Sequence, residues 1–227
     1  MEDQSGDKLT SGGWLAGFPA HLARAILDRG VWCDFAPGDI VYASGAEGDT
    51  IWGIASGAMK MFISAGEERM RFCHIVGPGY WFGELELLLN IPRIVEMRMA
   101  QPARLLRLRM KDLQSISASF PEIWLSVARL AATNEALAAA AVDDLMLRDP
   151  RKRLAATLLR LTGLRWDFQD RPALNPVPVT IQELSEAANL SRSVTARIMS
   201  DLTAEGAVEK GYRSVHVARL DRLVRLM

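Results

Sequence analysis

The chain has 227 residues, 49% of them hydrophobic, and its 27 Lys+Arg are balanced by 27 Asp+Glu. That length holds two modest domains with cores of their own, and the longest apolar run, Ala136 to Val142, is too short to cross a bilayer, which excludes a membrane-spanning protein. The zero net charge hides an asymmetry: residues 148–227 carry 14 Lys+Arg against 9 Asp+Glu, net +5, and residues 1–147 carry 13 against 18, net −5, so only the C-terminal part has the clustered positive charge that phosphate binding needs.

The N-terminal MEDQSGDK is acidic and lacks the basic start of a secretion signal, so a cytoplasmic protein is expected. In that reducing setting Cys33 and Cys73, far apart in sequence, are expected as free buried thiols. Between residues 31 and 109, short apolar and β-branched runs alternate with the turn signals APGD, GAEGD, SGAM, SAGEE and VGPGYWFGE at intervals of roughly ten residues. This spacing excludes a doubly wound α/β sheet, which needs helices between strands, and predicts an antiparallel jelly roll. The first domain is set at 1–120.

Past Pro121, EIWLSVARLAATNEALAAAAVDDLML is rich in alanine and free of Gly and Pro, predicting one long helix within 121–147. Val127, Leu130, Asn134, Leu137 and Ala141 follow an alternating three-four spacing, the seam of a two-helix coiled coil, with Asn134 fixing the register of a homodimer. The same spacing fits a helix buried against the barrel of its own chain. Asp149 and Pro150 then start a new helix, RKRLAATLLRL, as N-cap and first helical residue, and the joint reads as a hinge.

Within 148–227, Thr180 to Arg197, TIQELSEAANLSRSVTAR, predicts two short helices joined by a tight turn. Thr180 and Glu183 form a capping box, Ile181, Leu184, Ala187 and Ala188 share one face, and Asn189 tolerates the left-handed backbone of the turn. Ser191 caps the second helix, whose Val194, Ile198 and Leu202 face inward and leave Arg192, Ser193 and Arg197 outward. Gly206 closes it, and two β-rich runs around Lys210 and Gly211 form a wing. Arginines at a helix start suit bidentate reading of guanine, whereas Lys210, Tyr212 and Arg213 suit phosphate contact. Thr180, Gln182, Ser191, Arg192, Ser193, Arg197, Lys210 and Arg213 are therefore the candidates for binding double-stranded DNA, the alternative being a helical hairpin with a solvated basic face.

The order of these features resembles the CRP/FNR family of bacterial transcription regulators over nearly the whole chain. The resemblance is carried by APGD at Ala36 to Asp39, Gly45, Gly57, the GPGxxFGEL pattern from Gly77 to Leu85, Pro92-Arg93, the long helix, and SRxxxxR at Ser191 to Arg197. It implies an α+β chain, not an enzyme: a jelly-roll sensor resembling the cyclic nucleotide-binding domain, a dimerisation helix and a winged helix-turn-helix. It further implies a homodimer on a two-fold symmetric operator, with RNA polymerase as a partner if the protein activates, and a small-molecule effector.

In nucleotide-binding members, the resemblance implies, the Glu of FGEL takes a ribose hydroxyl, and the Arg of PR with nearby backbone N–H groups takes the cyclic phosphate. Here Gly83, Glu84 and Arg93 match, but Ile94 and Val95 replace small residues and are expected to crowd the phosphate space. Ala138-Ala139 replace the Thr-Ser that would bond adenine. The expected effector is therefore something other than cyclic AMP, or none. The alternatives are a cyclic-nucleotide sensor using Glu84 and Arg93, and a salt bridge between those two residues. No cofactor is expected: residues 1–32 hold no cysteine for an iron–sulfur cluster, and Cys73-His74 on one strand point to opposite faces, against haem. A cupin-like metalloenzyme would need converging histidines, and the chain has only His21, His74 and His216. Glu84 and Glu86, expected two apart on a strand, lack a His, Ser or Cys partner for acid–base catalysis.

Overall fold

The computed structural model describes residues 5–64, 66, 69–165 and 171–227; part of the SAGEE turn and the start of the acidic N-terminus lie outside the described residues. The elements, in chain order, are α1 (Ser5–Thr10), a short 3-10 turn (Trp14–Gly17), α2 (Ala20–Arg29), β1 (Val31–Phe35), β2 (Ile40–Tyr42), β3 (Thr50–Ser56), β4 (Met59–Ile63), β5 (Arg71–Val76), β6 (Trp81–Phe82), α3 (Glu84–Leu89), β7 (Glu96–Met99), β8 (Ala103–Arg109), α4 (Met110–Ser117) and α5 (Ile123–Met146). There follow α6 (Pro150–Leu161), α7 (Ile181–Ala187), α8 (Arg192–Ala204), β9 (Val208–Gly211), β10 (Ser214–Val217) and α9 (Leu220–Val224). They divide into two compact units, the described residues of 1–60, 76–136 and 168–172 in one and of 61–75, 137–167 and 173–227 in the other.

The strands of the β domain run in two four-stranded sheets, ordered β1-β8-β3-β6 and β2-β7-β4-β5. In the first, β8 is paired on both edges through its backbone: Leu105 lies opposite Cys33 of β1 and Leu106 opposite Gly53 of β3. Helical residues from both ends of the unit close its core. Leu9, Trp14, Leu22 and Ile26 from the N-terminal segment meet Leu113 and Ile116 of α4 and Ile123, Val127 and Leu130 of α5 around Trp81. Trp14 keeps its indole N–H satisfied by donating to the Ser126 carbonyl at 2.8 Å. This N-terminal helical cover was not expected from the sequence.

α5 has two apolar faces. Val127 and Leu130 are fully buried in the core of the first unit, and Asn134 donates to the Trp81 carbonyl at 3.0 Å and to Glu84 Oε1 at 2.9 Å. Farther along, Leu137 is buried and Ala141 half-buried in the second unit. Val127 and Leu130 are thus closed off within one chain and cannot meet a second copy, against the seam expected of them, whereas Asn134 keeps its Oδ1 without a partner and Ala141 stays half-buried. A second three-four stripe, Leu125, Ala128, Ala132, Glu135, Ala139, Val142 and Met146, is exposed, with Leu125 at 56%, Val142 at 59% and Met146 at 75%.

The second unit is held by α6, whose Leu154, Ala155, Leu158 and Leu159 are buried, together with Leu184 of α7, Ile198, Met199 and Leu202 of α8 and Val208, Val215 and Val217 of the wing. Asp149 caps α6 as expected, accepting from the Arg151 and Lys152 N–H groups at 2.7 and 3.2 Å, and these bonds hold its carboxyl below the ordinary range. The joint before it, read from the sequence as a hinge, carries a buried ion pair. Arg160 of α6 donates through Nε to Asp144 of α5 at 2.9 Å, with both side chains buried, and Arg165 approaches the other Asp144 oxygen at 3.3 Å. Arg160 also donates to the Cys73 carbonyl at 3.3 Å, while Cys73 Sγ donates to the Met61 carbonyl and burial pushes its thiol up to about 11. Cys33 and Cys73 are both free and half-buried.

Candidate nucleic-acid interface and effector cassette

The reading unit begins at α7, where the Thr180 hydroxyl accepts from the Glu183 N–H at 3.2 Å and Glu183 Oε2 accepts from the Thr180 N–H at 2.8 Å. This capping box satisfies amides that a helix start leaves orphaned. Asn189 adopts φ 48°, the left-handed turn expected between the helices. Ser191 then caps α8, accepting from the Val194 N–H at 3.3 Å, and its hydroxyl lies 3.1 Å from that of Ser193. Thr195, Ile198, Met199 and Leu202 turn inward and leave Arg192, Ser193 and Arg197 exposed. The guanidinium groups of Arg192 and Arg197 make no hydrogen bond or ion pair with another described residue.

The wing pairs Gly211 with Ser214, so the strands reverse over Tyr212 and Arg213, with Arg213 at φ 52°. Lys210, Tyr212 and Arg213 are exposed, and a cleft of about 220 Å³ runs between the wing and the start of α7, lined by Thr180, Ile181, Lys210, Arg213 and Ser214. Gln182 is less free: it donates to Glu186 Oε1 at 2.9 Å, and Glu186 also accepts from Nη2 of Arg69, just before β5, at 2.7 Å and from the N–H of Phe72, in β5, at 3.0 Å. Of the candidates, Arg192, Arg197, Lys210 and Arg213 present open charged groups, Ser193 shares a hydrogen bond with Ser191, Thr180 and Ser191 serve first as caps, and Gln182 is engaged by Glu186.

The residues matching the effector cassette lie in the first unit. Gly83 is left-handed at φ +90°, and a Cβ there would stand 2.7 Å from both Arg93 Nη1 and the Thr50 carbonyl oxygen, so glycine is required for the close approach. Glu84 and Glu86 follow in the first turn of α3, a helix rather than the strand expected. Two residues apart on a helix they point different ways. Glu84 accepts from Asn134; its burial raises the carboxyl above the ordinary range, against the lowering pull of that bond. Glu86 turns to Arg93.

Arg93 is buried, with both Nη groups fully engaged and its Nε left without a hydrogen-bond partner. Nη1 donates to the Gly83 carbonyl at 2.9 Å and to Glu86 Oε2 at 3.1 Å; Nη2 donates to the Thr50 carbonyl at 2.6 Å and the Thr50 hydroxyl at 2.8 Å. Tyr42 covers the guanidinium with its ring centroid 4.3 Å away. The Glu84–Arg93 salt bridge weighed from the sequence is therefore replaced by Glu86–Arg93. Ile94 is 49% exposed and Val95 half-buried, and the group bonded to Arg93 Nη1 and the Ile94 N–H is the Glu86 carboxylate. Glu86, Thr50 and Tyr42 are the cassette residues that sequence reasoning missed, and a second acid in FGELEL was the available signal for Glu86. A neighbouring cleft of about 390 Å³ has Glu47, Asp49 and Asn90 in its wall and neither Glu84 nor Arg93, so its charges are of the wrong sign for a phosphate. Among the described residues no cluster of His, Cys, Asp and Glu could hold a metal ion, and no helix is long and apolar enough to cross a membrane.

Comparison with known proteins assigns a family to each part of the chain. Residues 32–120 match the cyclic nucleotide-binding domain family and residues 152–226 the Crp-like helix-turn-helix domain family. A CRP-like cAMP-activated global transcriptional regulator of Mycobacterium tuberculosis is 30% identical over 198 residues, covering 85% of this chain and 86% of the relative. The cyclic AMP receptor protein of Thermus thermophilus is 27% identical over 204 residues, covering 89% of each. Among solved structures, a CRP-family transcriptional regulator from Thermus thermophilus superposes with a TM-score of 0.68 at 25% identity, covering 86% of this chain and 95% of that one.

Proposed function

We propose a mode of action that proceeds from what this chain is, a member of the CRP/FNR family of DNA-binding transcription regulators: a cytoplasmic homodimer that reads a two-fold symmetric operator with one α8 from each chain in adjacent major grooves. The observation that carries the reading is the pair of open guanidinium groups, Arg192 and Arg197, on the exposed face of a capped α8. Guanidinium is the bidentate partner of guanine in the major groove, and Ser193 beside it accepts or donates with little preference. Lys210 and Arg213 contact the phosphate backbone.

The dimer forms through the exposed stripe of α5 against a second copy, since Leu125, Ala128, Ala132, Glu135, Ala139, Val142 and Met146 keep heptad spacing, with Glu135 the one charge among them, and the alanines allow close helix approach. The functional division follows as a sensor at 1–120, a dimerisation helix at 121–147 and a reading domain at 148–227, with RNA polymerase as a further partner if the protein activates. The effector is not cyclic AMP. The relatives from Mycobacterium and Thermus are named for cyclic AMP, but this chain has Ala138-Ala139 in place of adenine partners and an Arg93 whose Nη groups are already taken. Sedimentation of the protein with a symmetric operator fragment tests the assembly: two chains per duplex are expected, and one chain per duplex would overturn it.

A further inference from the structure

Arg93 Nη1 and the Ile94 backbone N–H converge on the two oxygens of one carboxylate, Glu86 Oε2 at 3.1 Å and Glu86 Oε1 at 3.3 Å. A guanidinium beside a backbone N–H is the donor set that takes an anion's oxygens. Here the set is closed, because the Arg93 and Glu86 side chains are 1% and 4% exposed and Thr50 absorbs the other guanidinium nitrogen. The chain also makes room for the acid: a Cβ on Gly48 would fall 2.5 Å from the Glu86 Cβ and 2.8 Å from the Ile91 carbonyl oxygen.

We propose that Glu86 is a resident anion, a carboxylate of the chain itself seated where the cassette would receive the phosphate of an effector, so that the sensor is closed to cyclic nucleotides and inorganic phosphate alike. Glu86 is then the residue that sets effector specificity, by exclusion. A free anion must displace a carboxylate tethered at high effective concentration beside its guanidinium, and the Nη1 and Ile94 N–H donors it would take are the ones Glu86 already holds. The inference rests on reading 83–95 as the effector cassette, and it does not depend on the DNA-reading role of α8.

The experiment is calorimetric titration of the full chain with cyclic AMP, cyclic GMP and inorganic phosphate. Wild type is expected to bind none of them up to on the order of millimolar ligand. Glu86→Gln, which keeps the volume, and Glu86→Gly, which empties the seat, are expected to bind at least one of the three about tenfold more tightly than wild type or better. Adding Arg93→Leu to Glu86→Gly should abolish the gain. Binding of any of the three by wild type overturns the proposal, as does a folded Glu86 variant set that binds none, or a gain that survives Arg93→Leu. If both Glu86 variants lose the wild-type near-ultraviolet circular dichroism, the carboxylate is a structural part of the core rather than the occupant of a seat, and the proposal also fails. Operator binding by wild type is measured in parallel, so a failure of the regulator reading shows separately from the anion titrations.

Discussion

The same chemical group is used in opposite states in the two units. Arg93 is buried, held by Glu86, Gly83 and Thr50, and covered by Tyr42, whereas Arg192 and Arg197 stand in solvent with no partner among the described residues. A guanidinium whose two Nη groups are already taken has little left to offer a ligand, and one kept open at a capped helix start is available to a base edge or a phosphate. The contrast divides the molecule into a sensor unit whose recognition chemistry is satisfied internally and a reading unit whose chemistry faces outward.

The largest effect is expected where that internal satisfaction is broken. Arg93→Met leaves the Glu86 carboxylate buried without its guanidinium, which should cost about 3–5 kcal/mol of stability, while Arg192→Ala should change it by no more than about 0.5 kcal/mol. Denaturant midpoints measure both, and equal midpoints for the two variants would erase the contrast. On DNA the order reverses. Arg192→Ala and Arg197→Ala should each lose about 1–3 kcal/mol on operator and little on random sequence, whereas Lys210→Ala should weaken all sequences alike and reduce the salt dependence by about one charge. Titrations over operator variants and salt separate these behaviours; equal losses on operator and random DNA would reduce the two arginines to phosphate contacts.

A smaller effect sharpens the comparison between the two faces of α5. Val142→Asp on the exposed stripe should weaken self-association by about tenfold or more while the chain stays folded, and Leu130→Asp on the buried stripe should unfold it instead. Sedimentation together with a melting curve checks this, and an unchanged dimer for Val142→Asp would move the interface elsewhere. The smallest concerns Glu84. Burial raises its carboxyl pKa in the folded chain, so the folded state binds that proton more tightly than the unfolded state. The resulting stabilisation is complete below the unfolded value of about 4.3 and is lost as pH rises through the raised folded value. Glu84→Gln keeps an oxygen for Asn134 and should flatten that loss, gaining on wild type as pH rises above the unfolded value; a slope identical to wild type would show that Glu84 does not titrate there.

Much of the reading unit was legible because its signals are local. The capping box at Thr180 and Glu183, the left-handed Asn189, the Ser191 cap, Asp149 with Pro150, and Arg213 at the tip of the wing are each decided within a few residues. The jelly roll was legible as a class from the spacing of its turns. What failed was information that only tertiary packing supplies. α5 repeats an apolar three-four spacing on two faces, and nothing in the sequence says which one meets the barrel of its own chain. α3 is six residues long, too short for a periodic signal, so FGELEL reads as strand and sets Glu86 beside Glu84 rather than against Arg93. The N-terminal helices offered Leu22, Ala23 and Ile26 at helical spacing after Pro19, a signal outweighed by the β texture that begins at residue 31.

The ion-paired joint between α5 and α6 has a mechanical consequence. With Asp144 gripped by Arg160 and Arg165, and Asp149 anchoring the first turn of α6, the elbow has lost the torsional slack that a free linker would retain. A change of angle at this elbow has to part Asp144 from Arg160 and leave a buried charge unpaired, so the ion pair acts as a latch on the joint.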